Sequence, residues 1–325
     1  MRWRRAKRGG ERTRVVFATD LHGSETCFRK WVNSARVLEA DCLVLGGDLT
    51  GKRLVPLAET AEGWRGRLAG EEVVARDEEE LEELRKRIRA GGGYDLPLDA
   101  GELERFESDP ALRERLFDKR IREVLESWLE LAEERLPATG TPAFFMLGND
   151  DDEGLVEGLN GSGALRYVED RVCRLPSGHE MISFGYSTPT PWNTPREMEE
   201  DELGEAIERL VSQLEEPRRA VFNLHCPPRD THLDQAPLLD DQLRPKLGAA
   251  GTLTGSVGSQ AVRDAIERAG PLLGLHGHVH ECPATQRLGP TLCVNAGSEY
   301  QDGVLRAAII ELEPDGVRQW QLINS

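Results

Sequence analysis

The sequence has no long apolar segment, no paired cysteines and no excess of positive charge. No apolar stretch approaches the roughly 20 residues that cross a bilayer, so no membrane span is expected. The basic start, residues 1–13, has no apolar segment behind it, so it is interpreted as a frayed tail and not a secretory signal; a basic arm touching nucleic acid is the alternative. The six cysteines form no C-x-x-C pair, which argues against a zinc ribbon or redox motif and favours reduced thiols in a cytoplasm.

The charge balance argues against a nucleic-acid partner. The chain carries 41 Lys and Arg residues against 58 Asp and Glu residues, a formal net charge of -17. A protein of this charge repels polyanions, so a small anionic substrate requires local positive charge. With 325 residues, 38% of them hydrophobic and 30% charged, the chain can bury a full core, and one large domain with an insertion is expected.

Five short apolar segments each end in polar residues. They are residues 14–19 before Asp20-Leu21-His22, 42–45 before Gly46-Gly47-Asp48, 143–147 before Gly148-Asn149-Asp150, 220–224 before His225, and 272–275 before His276-Gly277-His278. Together with amphipathic helical stretches such as residues 203–214, these segments predict an α/β fold with a site at the carboxyl ends of the strands. Further strand patterns in residues 166–186 and after residue 283 predict a second sheet.

Residues 52–140 interrupt this pattern. They are predicted to form a charged, largely helical insertion within a domain that spans residues 14–325. Residues 54–57 and 72–75 suggest a local hairpin, and helices are predicted over residues 77–88 and from Asp109-Pro110 onward. This acidic insertion is interpreted as a solvated helical pair packed on the main body, with a lid or a surface for a protein partner as the alternative.

The residues at the strand ends have the types that a dinuclear metal site requires. They are Asp20, His22, Asp48, Asn149, His225, His278 and His280. Carboxylate oxygen, amide oxygen and imidazole nitrogen together suit manganese, iron or zinc better than magnesium. An Asp-x-His motif places two ligands of one metal on alternate residues, and Asp48 is free to bridge with both of its oxygens.

The order of these motifs resembles the calcineurin-like metallophosphoesterase family. Asp-x-His, Gly-Asp, Gly-Asn, an isolated His and Gly-His-x-His follow one another from about residue 14 to the end, apart from the insertion. Phrases such as GDLTGKRLVP and HCPPRDTHLD resemble an uncharacterised prokaryotic branch of that family. The resemblance implies a four-layered αββα sandwich of two mixed β-sheets flanked by helices. It also implies two sets of metal ligands that share Asp48 as a bridge: Asp20, His22, Asp48 and His280 for the first metal, and Asp48, Asn149, His225 and His278 for the second.

The resemblance further implies a phosphoesterase that acts on a small phosphorylated substrate, either a phosphomonoester or a phosphodiester. Two cations about 3.5–4 Å apart acidify a water to hydroxide, which attacks the ester held between them. The alternative is a catalytically weak or inactive scaffold of the same fold for protein interaction. A nuclease is a third interpretation, and the charge balance counts against it.

Asp150 departs from the family pattern, because most members have a histidine there that contacts the phosphate. An aspartate with an ordinary pKa of about 4 donates a proton poorly at neutral pH. Asp150 is therefore interpreted as a structural residue that orients His225 or a metal-bound water, with a general acid as the alternative. His232 is a second candidate proton donor, although an ordinary loop histidine is the favoured interpretation. Lys52 and Arg53 are interpreted as solvated loop charges, with contact to the phosphate as the alternative for either, and His276 is interpreted as a packed strand residue.

Overall fold

Two six-stranded mixed β-sheets form the centre of the protein. A computed structural model describes residues 12–155, 163–248 and 251–325. The predicted basic tail, residues 1–13, therefore lies outside the described residues except for its last two. No helix in these ranges combines the length and the apolar character needed to cross a membrane. All six cysteines are free thiols.

The strands of the described residues are β1 (Thr13–Ala18), β2 (Cys42–Gly46), β3 (Arg53–Thr60), β4 (Gly63–Leu68), β5 (Glu71–Ala75), β6 (Gly93–Leu98), β7 (Ala143–Met146), β8 (Leu165–Tyr167), β9 (Val172–Arg174), β10 (Glu180–Phe184), β11 (Val221–Leu224), β12 (Gln235–Pro237), β13 (Leu247–Gly248), β14 (Gly251–Thr252), β15 (Thr254–Ser256), β16 (Leu273–His276), β17 (Ala284–Leu288), β18 (Thr291–Asn295), β19 (Arg306–Glu313) and β20 (Gly316–Asn324). The helices of the same ranges are α1 (Glu25–Val37), α2 (Glu78–Ala90), α3 (Ala100–Ser108), α4 (Pro110–Arg135), α5 (Glu200–Val211) and α6 (Gln260–Ala269).

Each large sheet has a parallel centre and antiparallel edges. The first sheet has the order β20-β19-β1-β2-β7-β8, in which β1, β2, β7 and β8 run parallel. The second has the order β17-β18-β16-β11-β10-β9, in which β18, β16, β11 and β10 run parallel. All five strands that were predicted to deliver site residues are therefore in the parallel parts of the two sheets.

Successive side chains along each strand point to opposite faces of the sheet and therefore pack into different layers. Val16 and Ala18 of β1 pack in a core with α1 and α4, whereas Val15 and Phe17 pack in a core between the two sheets. The outer face of the second sheet packs against α5 and α6, for example through Phe222. The layers follow the order helices, sheet, sheet, helices, and the predicted four-layered αββα sandwich is confirmed.

The insertion contains a third sheet besides its helices. Residues 54–57 and 72–75 both lie in strands, but the predicted hairpin between them is wrong, because β4 pairs with β3 on one side and with β5 on the other. The sheet has the order β5-β4-β3-β6, and β6 pairs parallel to β3. The predicted helix start at Asp109-Pro110 is confirmed, since the Asp109 carboxylate accepts a hydrogen bond from the Leu112 N–H at 3.1 Å.

A buried carboxylate holds the insertion together. Asp95 of β6 is fully buried and accepts hydrogen bonds from Arg85 and Arg89 of α2 at 2.6 and 2.8 Å. It also accepts one from Arg120 of α4 at 3.2 Å. One side chain thus joins a strand to two helices, and the arginines satisfy a charge that would be costly to bury alone.

Replacing Asp95 should destabilise the protein strongly. Asp95→Ala leaves three partly buried guanidinium groups without their shared partner, so we expect the free energy of unfolding to fall by about 3–5 kcal/mol. Urea denaturation measures this loss. Asp99→Ala is the matched control, because Asp99 caps α3 on the surface of the same insertion and its loss costs about 1 kcal/mol. Equal losses for the two variants would contradict the central role of Asp95.

Candidate metal centre

The seven predicted site residues converge where the two sheets meet. Each follows the carboxyl end of a parallel strand, where ligands gather in open α/β sheets. Asp20 and His22 follow β1, Asp48 follows β2, Asn149 follows β7, His225 follows β11, and His278 and His280 follow β16. Five of these residues are buried, whereas His278 and His280 are partly exposed.

Four of these residues form a cluster that could hold a metal ion, which we call the first cluster: Asp20, His22, Asp48 and His280. One potential ligand atom from each lies within 4.8 Å of all the others. His22 Nε2 and His280 Nε2 are 3.0 Å apart, and His22 Nε2 is 3.5 Å from Asp48 Oδ2. Carboxylate oxygens and imidazole nitrogens in this arrangement are typical of divalent metal sites.

The remaining residues meet on the other side of Asp48, in what we call the second cluster: Asp48, Asn149, His225 and His278. His225 Nε2 lies 3.0 Å from Asn149 Oδ1 and 3.4 Å from Asp48 Oδ2. His278 Nδ1 lies 2.7 Å from the same Asn149 oxygen. Asp48 Oδ2 is therefore shared by the two clusters.

Backbone carbonyls determine the tautomers of two of the imidazoles. His22 Nδ1 lies 3.3 Å from the Thr50 carbonyl oxygen, and His225 Nδ1 lies 2.8 Å from that of Gly46. Because a carbonyl only accepts, each Nδ1 carries a proton and donates it. In the neutral rings the Nε2 lone pairs then point into the clusters, which is the orientation that a metal ligand requires.

The backbone at the clusters is strained and tightly packed. Asp20, His22, Asp48 and His278 have positive φ angles of 54°, 43°, 52° and 66°. Such conformations cost energy and gather at functional sites. Gly47, at a φ of 99°, is required because a Cβ atom there would lie 2.7 Å from Gly148 Cα. The loops that carry Asp48 and Asn149 are therefore in direct contact.

Asp151, the second aspartate of Gly-Asn-Asp-Asp, joins these two loops. Its carboxylate is fully buried and accepts hydrogen bonds from the N–H groups of Leu49, Thr50 and Gly148 at 2.8–3.0 Å. It also accepts one from the Thr50 hydroxyl at 2.7 Å. Thr50 in turn supplies the carbonyl that orients His22, so Asp151 supports the first cluster through Thr50.

Asp150, the first aspartate of that motif, is paired with Lys52. Its carboxylate forms an ion pair with the Lys52 ammonium and lies 4.0 Å from His22 Nδ1. Burial and the charge of Asp48 raise the pKa of Asp150 to about 7, although Lys52 opposes this rise. Lys52 is exposed in its loop as expected, but its ion pair with Asp150 was not predicted. Arg53 donates to the Gly91 carbonyl at 3.1 Å.

The other histidines lie apart from the two clusters. His276 is buried, and its Nδ1 lies 2.9 Å from the Leu224 carbonyl oxygen, as expected for a packed strand residue. The His232 side chain is exposed and makes no hydrogen bond to either cluster within the described ranges; its backbone N–H donates to Gln286. A role for His232 as proton donor stays a prediction.

Two neighbours of the clusters were missed by the sequence analysis. The Ser298 hydroxyl donates to the Asp20 carbonyl at 2.7 Å, and the Tyr300 ring centroid lies 4.8 Å from that of His22. Both follow β18, far along the chain from Asp20 and His22, in the phrase NAGSEYQDGV, which resembles the same family branch but was given no role at the site.

The histidines of the clusters differ in charge. Burial lowers the pKa of His22 to about 3 and that of His278 to about 4, so both are neutral at pH 7. Burial acts on His225 in the same direction, but the charges of Asp48 and Asp20 and a hydrogen bond to Asp48 raise its pKa to about 10. Without a bound cation, His225 is therefore protonated at neutral pH.

Comparison with known proteins supports the fold. No protein-family model matches the chain. The chain is 27% identical over 150 residues to the uncharacterized protein MJ1162 of Methanocaldococcus jannaschii, a match that covers 46% of this chain and 60% of that protein. The crystal structure of TT1561 of Thermus thermophilus has a TM-score of 0.53 at 12% identity, over 96% of this chain and 98% of that one.

A further solved structure has a phosphoesterase in its description. It is the structure of a conserved uncharacterized protein from Streptococcus pneumoniae TIGR4, described as a predicted phosphoesterase. The match covers 97% of this chain and 98% of that protein's chain, at 11% sequence identity. Its TM-score of 0.30 is too low to support an inference about this protein. At 12% identity, the structure of TT1561 supports the fold alone.

Binding of a divalent cation should release a proton from His225. The ring is protonated below a pKa of about 10 and must be neutral to act as a ligand. We therefore expect affinity for Mn²⁺ to rise with pH between about pH 6 and 9, by up to about tenfold per pH unit for each proton released. Calorimetric titration of the metal-free protein, in two buffers of different ionisation enthalpy, measures the number of protons.

The matched control is His179→Asn, because His179 hydrogen bonds to Ser177 and Pro314 and not to either cluster. It should leave proton release unchanged, whereas His225→Asn should reduce it. A binding enthalpy that does not depend on the buffer, with an affinity independent of pH, would show that His225 is not a ligand.

Proposed function

We propose that this protein is a metal-dependent phosphoesterase that hydrolyses a phosphomonoester or phosphodiester with two divalent cations. The observation that carries the proposal is the position of Asp48 Oδ2, which lies 3.5 Å from His22 Nε2 in the first cluster and 3.4 Å from His225 Nε2 in the second. One carboxylate oxygen between two sets of ligand atoms is the arrangement that a bridged pair of cations requires.

The chemistry of the donor atoms supports this assignment. The first cluster would hold one cation through two carboxylates and two imidazoles, and the second would hold another through one carboxylate, one amide oxygen and two imidazoles. Mixed oxygen and nitrogen donors suit manganese, iron or zinc. The carbonyl partners of His22 and His225 keep those rings in the tautomer that such binding needs.

The cations would supply Lewis acidity, a lowered pKa for water and local positive charge for the phosphate. This local charge is needed because the chain has a net charge of -17. Within the protein, Asp48 would hold the two cations close together, while Asp151 and the backbone keep the Asp48 and Asn149 loops in contact.

The favoured substrate is a small phosphorylated molecule, since the overall charge opposes binding to nucleic acid. The six free thiols are consistent with a cytoplasmic location.

The pair of Lys52 and Asp150 would contact the phosphate where a histidine was expected. Burial lowers the pKa of Lys52, but the charge and hydrogen bond of Asp150 outweigh it, so that pKa is raised and the ammonium stays protonated. The half-exposed ammonium can attract a phosphate oxygen, and it also offsets the Asp150 charge that would otherwise repel one. Because Lys52 holds its proton tightly, it is a poor donor to a leaving group.

Two bound metals and phosphatase turnover together test the proposal. The protein purified with its metals should contain two divalent ions per chain and should hydrolyse members of a panel of monoesters, diesters and nucleotides with added manganese. Asp48→Asn should lower kcat/KM by at least about 100-fold, because it changes the shared ligand, and even partners outside the ligand set cost about 10–100-fold. Asp170→Asn is the matched control, since Asp170 forms a surface ion pair with Arg209.

The remaining outcomes distinguish a non-catalytic scaffold from a failure of the whole proposal. Two metals without turnover on any member of the panel would indicate a scaffold for protein interaction, and the 52–140 insertion would then be the surface to examine for a partner. Fewer than two metals together with no turnover would refute the proposal as a whole.

Hydrolysis should be fastest for esters with good leaving groups. Although burial raises the pKa of Asp150 to about 7, Lys52 opposes this rise and two bound cations would lower that pKa further. Asp150 would then be a weak proton donor, so we expect 4-nitrophenyl phosphate to react much faster than alkyl phosphates when chemistry limits the rate. Asp150→His restores a histidine at this position and should narrow the gap, since general acid catalysis contributes about 10²–10⁴-fold. Steady-state rates over a series of leaving-group pKa values measure the dependence. Equal rates across the series in the unsubstituted protein would mean that a proton donor is present.

A further inference from the structure

The loop between Ser187 and Glu197 touches Asn149, and we infer that Thr194 in this loop determines which way the Asn149 amide points. The inference deepens the proposed function and rests on it, because the orientation matters only if the Asn149 oxygen binds a cation. Thr194 would act as a positioning residue, since it contacts the amide NH₂ group of Asn149 and not the amide oxygen that would bind a cation.

The direction of each hydrogen bond follows from the chemistry of Glu197. Glu197 Oε1 accepts from the Thr194 hydroxyl at 2.6 Å and from the Thr194 N–H at 2.9 Å. Thr190 donates its hydroxyl to the same oxygen at 2.5 Å. An ionised carboxylate only accepts, so the single hydroxyl proton of Thr194 is committed to Glu197.

The Thr194 oxygen can then only accept on its other side. Asn149 Nδ2 lies 2.9 Å from it and donates to it. This places the amide NH₂ group of Asn149 away from the second cluster and the amide oxygen towards it, at 3.0 Å from His225 Nε2 and 2.7 Å from His278 Nδ1. The orientation matters because an amide oxygen has lone pairs to offer a cation, whereas the amide NH₂ is a hydrogen-bond donor.

The loop itself is anchored to the backbone that carries Asn149. The Arg196 N–H donates to the Asn149 carbonyl at 3.1 Å, and its guanidinium donates to the Gly148 carbonyl at 2.9 Å. The same guanidinium forms an ion pair with Glu169 and lies 4.3 Å from the centre of the Tyr186 ring. Arg196 and Glu169 are both buried, so these contacts are shielded from water.

The two ends of the loop also pair with each other. Ser187 and Glu197 form an isolated parallel bridge, and the Met198 N–H donates to the Ser187 carbonyl at 3.0 Å. The Arg196 contacts and this closure together hold Thr194 at a fixed distance from Asn149. The metal centre would thus depend on a segment about 45 residues further along the chain.

Thr194→Val tests the inference, because valine has the shape of threonine without its hydroxyl. We expect it to weaken the binding of one Mn²⁺ equivalent to the metal-free protein by roughly 10- to 100-fold and to leave the other equivalent unchanged. Thr194→Ser should restore wild-type affinity. Calorimetric titration resolves the two equivalents, and thermal denaturation of each metal-free variant confirms that it is folded.

Thr190→Val is the matched control. It makes the same substitution in the same loop and removes another donor to Glu197, but Thr190 has no hydrogen bond with Asn149. It should change the Mn²⁺ affinity by less than about threefold, which is within the scatter expected for a substitution that acts independently of the cation ligands. An equal loss for Thr190→Val and Thr194→Val would assign the effect to the loop as a whole and overturn the inference.

A double-mutant cycle separates orientation from general support. In an Asn149→Asp background both side-chain atoms are carboxylate oxygens, so the side chain presents an oxygen to the cluster in either orientation. Thr194→Val should then cause no loss of Mn²⁺ affinity, whereas in the Asn149 background it causes the full loss. The same loss in both backgrounds would contradict the inference.

The outcomes distinguish this inference from the proposed function. If the unsubstituted protein binds fewer than two Mn²⁺ ions, the two-metal proposal fails. If it binds two and Thr194→Val binds both as tightly, the proposal stands and only the role of Thr194 is wrong.

Discussion

The buried carboxylate of Asp151 is the contact on which the geometry of the centre depends. It accepts hydrogen bonds from both sides of the gap between the β2 and β7 loops, from Leu49 and Thr50 on one side and from Gly148 on the other. A buried carboxylate is costly unless its acceptors are satisfied, so the two loops are stable in this arrangement only together. Asp48 and Asn149 are held at a common site because their loops share this partner.

The two clusters contain buried negative charge that the neighbouring side chains balance only in part. Asp20 and Asp48 are buried, and hydrogen bonds and charges from neighbouring histidines outweigh burial and lower their pKa values. His225 balances part of this charge by remaining protonated, while His22 and His278 are neutral. Divalent cations would replace the proton on His225 and also fill the space between imidazole nitrogens that lie as close as 3.0 Å. The strained φ angles of Asp20, His22, Asp48 and His278 fit a backbone shaped for a ligand more than for local stability.

Prediction from sequence succeeded for features that depend on neighbouring residues in the chain, and it failed for features that depend on which distant strands or charges pair with each other. The strands before Asp20, Asp48 and Asn149 were found from short apolar segments, and their alternation also determines which side chains enter which core. The hairpin in the insertion was wrong, because an apolar pattern identifies a strand but does not show that β4 lies between β3 and β5. The ion pair of Lys52 was missed for a similar reason: its partner Asp150 is 98 residues away, and a charge in a loop gives no sign of a distant ion pair.

The sequence by itself determined the types of site side chain and their order along the chain, since each motif stands directly after its own strand and carries its own side chains. Only the tertiary structure decided how those motifs meet. Two sheets bring the carboxyl ends of five strands together, Asp151 joins two of the loops, and Thr194 reaches Asn149 from a separate segment. These contacts depend on distances between residues far apart in the chain, and such distances are set by packing and hydrogen bonding in three dimensions, which a linear pattern of residues does not contain.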